Sequence, residues 1–139
     1  AILNDWSARD AQTGEMAMGT GPYKGKDWCW SFGPWIVTPD ELGNPAEIPM
    51  AARVNGETWI EATPGEMYWT FAQMLSYTSR DENMLTGDIL GSGTVPGGCG
   101  MEIDRWIQPG DFVEIDMGPL GVMANRISEK GERKPYTYK

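Results

Sequence analysis

A carboxylate, a guanidinium and an amide lie close together near the start of the chain, at Asp5, Arg9 and Gln12. They follow the apolar segment 1–3, which predicts a strand that ends at Asp5. A helical turn after that strand would place Arg9 and Gln12, three residues apart, on one side. Asp5 would then face a cation that the other two flank. Spacing alone supports equally well a polar strand-to-helix junction, in which Asp5 or Ser7 caps the turn and Arg9 pairs with Asp5 or Asp10.

Three later residues are also candidates for chemistry. Lys26 follows a glycine-rich stretch, and a lysine beside a metal-bound enolate would offset developing negative charge, although it is also explained as an ordinary surface lysine. Thr94 and the amides of its glycine loop can bind a carboxylate or keto oxygen, because glycine leaves the backbone accessible. Glu102, just past that loop, is a candidate general base if it is partly buried.

Composition narrows the classes of function. The 139-residue chain has a net charge of −9, which disfavours nucleic acid because phosphate binding needs clustered Lys and Arg. The sequence has no histidine, so the chain alone provides neither a Ser-His-Asp triad nor a zinc site from its two distant cysteines. Carboxylates favour hard divalent cations instead. With no apolar run long enough for a membrane span, we expect a cytoplasmic protein with reduced thiols.

The element pattern predicts an α+β, β-rich single domain over residues 1–139. Asn55-Gly56 between alternating runs indicates a hairpin. The main helix is predicted over about 64–79, with Thr63 as its cap, Pro64 in its first turn and Glu66 returning to the cap. Residues 14–25 read as a loop. Strands are expected at positions 34–38, 87–94, 101–106, 112–117 and 121–127.

Several motifs, in the same order along the chain, resemble the fumarylacetoacetate hydrolase family. They are NDWSARDAQ (4–12), GPYKGK (21–26), GPWIVT (33–38), GDILGSGT (87–94), GCGME (98–102) and PGD (109–111). The resemblance covers nearly the whole chain. It implies the family's mixed β-sandwich roll with a few helices, assembled as a homodimer.

The resemblance also implies roles for the candidate residues. Asp5 matches the aspartate that binds the divalent metal, Mg²⁺ or else Ca²⁺ or Mn²⁺. Lys26 matches the lysine that stabilises the enolate-like carbanion formed when a C–C bond breaks. Glu102 matches the glutamate that pairs with a histidine to activate water. The positions that line the substrate site in the family are matched by Arg9, Gln12 and Thr94.

Departures from the family pattern limit what the resemblance implies. The family's other metal ligands and its dyad histidine lie upstream of the aspartate and have no counterpart here, so we expect the chain to be the C-terminal part of a larger enzyme. Met16 replaces a substrate-contacting tyrosine, and Trp30 replaces a threonine near the metal. The predicted activity is metal-dependent hydrolysis of C–C bonds in small 2-oxo or 1,3-dioxo acids. The alternatives are a decarboxylase, an isomerase or a hydratase of the same family, or a scaffold that has lost the chemistry.

Overall fold

The computed structural model describes residues 1–129, which form two antiparallel sheets joined by short helices and loops. The predicted α+β, β-rich class is therefore confirmed. None of the helices in this part of the chain is long and apolar enough to cross a bilayer.

The smaller sheet pairs β1 (Ile2–Asp5) with β2 (Trp30–Gly33). Its register places Ile2 opposite Gly33 at one end and Asp5 opposite Trp30 at the other. The Trp6 indole N–H donates to the Ser31 hydroxyl at 2.8 Å, just beyond Asp5. Asp5 is thus held at the end of a paired strand, as the sequence predicts.

The larger sheet has the order β4-β3-β5-β6, with strands Met50–Val54 (β3), Glu57–Ala62 (β4), Phe112–Asp116 (β5) and Val122–Arg126 (β6). The turn between β3 and β4 has positive φ at Asn55 (52°) and Gly56 (82°), as the hairpin prediction requires. The predictions for β5 and β6 are also confirmed to within a residue or two.

The main hydrophobic core joins the two sheets. Ile2 of β1 is 1% exposed and packs with Met123 of β6, Ile48 and Leu120. Since β1 ends at Asp5 three residues later, burial of Ile2 anchors the strand that presents this carboxylate.

The helices differ most from the sequence prediction. They are α1 (Arg9–Ala17), α2 (Lys24–Asp27), α3 (Pro39–Leu42) and α4 (Phe71–Thr78). The loop predicted over residues 14–25 is wrong at both ends, since α1 continues to Ala17 and α2 begins at Lys24. One glycine inside a helix of good helix formers costs only about 1 kcal/mol, so Gly14 does not end α1.

The predicted main helix over 64–79 is wrong in its first half. Pro64–Glu66 forms a separate 3₁₀ turn, and α4 begins only at Phe71. Thr70 caps α4: its hydroxyl accepts from the Gln73 N–H at 3.3 Å, and Gln73 Oε1 accepts from the Thr70 N–H at 2.9 Å. This capping box satisfies the first amides of the helix and sets its start.

Three predicted strands are not present. Residues 34–38 follow β2, which ends at Gly33, and their first residue, Pro34, has no N–H to donate to a ladder. Residues 87–94 remain irregular, with positive φ at Gly87 (101°) and Gly93 (79°). Residues 101–106 contain instead a 3₁₀ helix, Gly100–Ile103, which is followed by Asp104 in the left-handed conformation.

Candidate active site

The centre of the site is an ion pair between the first sheet and α2. Lys26 Nζ lies 2.6 Å from Asp5 Oδ2, and the two side chains are 24% and 45% exposed. Exposed ion pairs contribute at most about 1 kcal/mol to stability. The pair therefore does little to hold the fold together, and it presents a carboxylate and an ammonium together at the surface.

Lys26 is positioned by the packing of α2 against α1. Gly25 lies so close to α1 that a Cβ added to it would be 2.9 Å from the backbone N and Cα of Gln12. The Gly25 carbonyl accepts from the Ala8 N–H at 2.9 Å. Glycine at this position lets the two helices meet, and it sets the place from which Lys26 reaches Asp5.

Glu15 of α1 holds the start of α2. Its carboxylate accepts from the backbone N–H groups of Tyr23 (2.8 Å), Lys24 (2.9 Å) and Gly25 (3.1 Å). The hydrogen bond from Tyr23 is the main cause that lowers the pKa of Glu15 below its ordinary 4.5. Burial acts in the opposite direction, and the hydrogen bonds from Gly25 and Lys24 lower the pKa further. Glu15 thus satisfies helix-end amides that would otherwise lack partners.

Arg9 and Gln12 lie on one side of α1, as their spacing predicts. Arg9 Nη1 donates to Gln12 Oε1 at 2.7 Å, and Nη2 contacts Cys99 Sγ at 3.1 Å. The alternative of a polar junction is not supported, because the cap residue of α1 is Ala8 without a side-chain hydrogen bond. Within residues 1–129, Arg9 makes no ion pair with Asp5 or Asp10.

Glu102 lies in the 3₁₀ helix that follows the glycine loop. Its Oε1 accepts from the Gly97 N–H at 3.2 Å and its Oε2 from the Cys99 N–H at 3.0 Å. Glu102 is exposed, so the partial burial expected of a general base is not found in the chain by itself.

The remaining predicted substrate residue, Thr94, is exposed on the glycine loop. Its methyl carbon lies near Gly98, and a Cβ added to Gly98 would be 3.0 Å from that methyl. Trp30, directly across the strands from Asp5, is 64% exposed, and Met16 on α1 is 52% exposed. Trp30 and Met16 therefore stand at the surface rather than in the core.

Five of the six predicted residues belong to one network, in which Asp5–Lys26 and Arg9–Gln12 are direct contacts and the other links pass through Gly25 and Cys99. Asp5 pairs with Lys26, whose neighbour Gly25 packs on Gln12. Gln12 contacts Arg9, and Arg9 reaches the loop that Glu102 holds. Thr94 lies on that loop, and no hydrogen bond within residues 1–129 joins it to the other five.

Two members of this network were not predicted from the sequence. The Glu15 carboxylate accepts from backbone N–H groups eight to ten residues later. The sequence signal for this role was an acidic residue just before a glycine-rich stretch. Cys99 contacts Arg9 across 90 residues, and no local pattern indicates that contact.

The donor set suits a divalent cation only in part. The ion pair engages Oδ2 of Asp5, and a carboxylate can offer both oxygens to a hard cation. In the described part of the chain, however, no group of three His, Cys, Asp or Glu residues is arranged to hold a metal. Asp5 therefore fits as one ligand, and the octahedral shell that Mg²⁺ requires is not complete here.

Comparisons with known proteins identify the family to which this fold belongs. Residues 1–128 match the family model described as fumarylacetoacetate (FAA) hydrolase C-terminal. A 2,4-didehydro-3-deoxy-L-rhamnonate hydrolase from Sphingomonas sp. (strain SKA58) is 35% identical over 132 residues, which cover 92% of this chain and 45% of that protein.

Two solved structures share the fold. The fumarylacetoacetate hydrolase from Exiguobacterium antarcticum has a TM-score of 0.81 at 31% identity, over 94% of this chain and 46% of the other. The 2-hydroxyhepta-2,4-diene-1,7-dioate isomerase from Mycobacterium marinum has a TM-score of 0.76 at 30% identity, over 94% and 48%. This chain thus spans less than half the length of these proteins. With one family model matched over nearly all of its described residues, the chain belongs to the fumarylacetoacetate hydrolase family.

Proposed function

We propose that this chain forms one wall of an active site that hydrolyses C–C bonds in small 2-oxo or 1,3-dioxo acids, with the help of a divalent metal. The observation that carries the proposal is the Asp5–Lys26 pair, with 2.6 Å between Nζ and Oδ2 at an exposed strand end. Breaking a C–C bond next to a carbonyl leaves negative charge on an enolate oxygen. A fixed ammonium beside that oxygen stabilises the charge as it develops.

Arg9 is the proposed partner of the substrate carboxylate. A guanidinium has five N–H donors, and Gln12 and Cys99 each engage one of the terminal nitrogens, so donors remain for a carboxylate. Gln12 is proposed to orient Arg9 through its side-chain oxygen. Thr94 is proposed to contact the same substrate from the glycine loop.

Glu102 is the proposed general base, which takes a proton from water. In the isolated chain both of its oxygens accept from amides of its own loop. The carboxylate would need a further partner, a histidine from outside this chain, to activate water as the resemblance implies.

The metal and the facing wall are part of the same proposal. Asp5 would provide one oxygen ligand of Mg²⁺, or of Ca²⁺ or Mn²⁺, and the bound metal would supply Lewis acidity toward the substrate oxygens. The other ligands are proposed to come from sequence that precedes these residues. The 64% exposure of Trp30, directly across from Asp5, supports a second protein surface over this face. A cytoplasmic homodimer is part of the same proposal.

An isomerase is the second candidate. The similarity to the Mycobacterium marinum isomerase favours it, because an isomerase also needs a stabilised enolate but no water attack. Glu102 separates the two activities: it is required for hydrolysis if it activates water, and dispensable for an isomerase that moves a proton through another group.

The test is an assay with acylpyruvates, fumarylacetoacetate and oxaloacetate in the presence of Mg²⁺. It should compare the 139-residue chain with the chain joined to the sequence that precedes it in its gene. We expect the isolated chain to bind Mg²⁺ weakly and to be inactive, because one carboxylate does not close the site. The joined protein should cleave an acylpyruvate, and Asp5→Ala should lower kcat/KM at least about 100-fold.

Asp10→Asn is the matched control, because it removes one carboxylate from the same stretch without touching Lys26. Full activity of Asp5→Ala in the joined protein would refute the metal assignment. Micromolar Mg²⁺ binding with turnover by the isolated chain would refute the single-wall interpretation. A scaffold would be favoured by two results together: the preceding sequence has no acidic ligands or histidine, and the joined protein turns over none of the substrates.

A further inference from the structure

The backbone around Cys99 is held on both sides. A Cβ on Gly98 would be 2.7 Å from the Val95 carbonyl oxygen, and one on Gly100 would be 2.6 Å from the Arg105 carbonyl oxygen. The Gly98 N–H donates to Val95 and the Arg105 N–H donates to Gly100, each at 2.8 Å. A residue between two such packed glycines has little freedom to move.

Glu102 adds a further restraint, because it accepts from the N–H of Cys99 itself at 3.0 Å. On the opposite side, the thiol sulphur lies 3.1 Å from Arg9 Nη2 and is half-buried. Cys99 therefore provides a contact between α1 and the segment that carries Glu102. Because α1 has no fully buried residue, its position depends on side-chain contacts such as that between Arg9 and Cys99.

Arg9 gains its orientation from this arrangement. Gln12 belongs to the same helix and can move with it, so its contact does not tie Arg9 to the rest of the site. Cys99 lies 90 residues away on a separately anchored loop. Two contacts on different terminal nitrogens fix the plane of a guanidinium and still leave one hydrogen on each nitrogen for a ligand.

We propose that Cys99 is a positioning residue: its sulphur accepts from Arg9 and holds the guanidinium ready for the carboxylate of a 2-oxo acid. The proposal rests on the proposed function for its substrate, but not for the contact itself. Preorganisation of this kind lowers the cost of ordering the side chain when the ligand binds.

The first test measures Arg9 in the 139-residue chain by ¹⁵N relaxation of its side-chain Nε–H. We expect an ordered Arg9 in the native chain and in Cys99→Ser, which keeps an acceptor. In Cys99→Ala the order parameter should fall below about 0.6. Cys29→Ala is the matched control, and Arg126, which donates to the Gly110 carbonyl at 3.0 Å, is the internal reference. An Arg9 that stays ordered in Cys99→Ala, or that loosens equally in Cys99→Ser, overturns the proposal.

The second test measures kinetics in the joined protein described above. Loss of one hydrogen bond to a charged group should raise KM about tenfold in Cys99→Ala with kcat nearly unchanged, and Cys99→Ser should restore KM. An unchanged KM in an active protein overturns the role in substrate binding. If the native joined protein turns over no 2-oxo acid, the proposed function fails. The ¹⁵N relaxation of the Arg9 side chain then decides by itself whether Cys99 positions Arg9.

Discussion

Gly25→Ala tests whether close contact between α1 and α2 sets the position of Lys26. The added Cβ would lie 2.9 Å from three atoms of Gln12, two of them in the backbone, whereas ordinary contact begins near 3.4 Å. The clash cannot be relieved by turning a flexible side chain. One of the two helices must move, and the hydrogen bond from Ala8 N–H to the Gly25 carbonyl, 2.9 Å long, resists that movement.

Two opposing effects determine the magnitude. Exchanging a helical glycine for alanine stabilises by about 0.5–1 kcal/mol, whereas forcing an extra methyl into a packed site costs about 1–3 kcal/mol. Because backbone atoms lie on both sides of this contact, we expect the clash to prevail. The free energy of unfolding should fall by about 1–2 kcal/mol.

Gly14→Ala is the matched control. Gly14 also lies in α1, but an added Cβ there has nothing within 4 Å. It should therefore stabilise the chain by about 0.5–1 kcal/mol. Urea unfolding of both variants, monitored by tryptophan fluorescence, measures the difference, and an unchanged m-value shows that stability alone has changed. If Gly25→Ala stabilises the chain as much as Gly14→Ala, the close helix contact does not exist.

Two further predictions concern Glu15 and Thr70. The pKa of Glu15 is lowered in the fold, chiefly by the Tyr23 N–H, so its stabilisation is present above the ordinary pKa of 4.5 and is lost as the pH falls through the lowered value. Urea unfolding between pH 3 and pH 7 should therefore show a weaker loss of stability in acid for Glu15→Gln than for the native chain, and equal pH profiles would contradict this. Thr70→Ala removes the hydroxyl that accepts from the Gln73 N–H and should destabilise α4 by about 1 kcal/mol, seen as faster amide exchange in α4. Thr70→Ser keeps the acceptor and should exchange like the native chain.

The hairpin and strands β5 and β6 were predictable because the local sequence there favours a single conformation. Asn55-Gly56 tolerates positive φ at both positions, so it specifies its hairpin without help from distant residues. Strands β5 and β6 follow from alternating apolar residues whose inner face is buried, such as Val113 and Met123.

The start of α4 could not be decided locally, because two signals compete. Thr63 with Glu66 and Thr70 with Gln73 both match a capping box. The Thr63 hydroxyl donates to the Ala46 carbonyl at 2.7 Å, and a Cβ on Gly65 would be 2.8 Å from the same oxygen. This docking makes residues 64–66 a separate turn and leaves Thr70 as the cap.

For the candidate site, the residue types and their spacing along each element follow from the local sequence. Arg9 and Gln12 meet because residues three apart on a helix are neighbours. The contact of Lys26 with Asp5 spans 21 residues, and that of Arg9 with Cys99 spans 90. Contacts of this kind depend on how whole elements pack, here through Gly25 against α1 and through the anchored glycines beside Cys99. No local pattern specifies that packing, so these contacts become visible only in the folded chain.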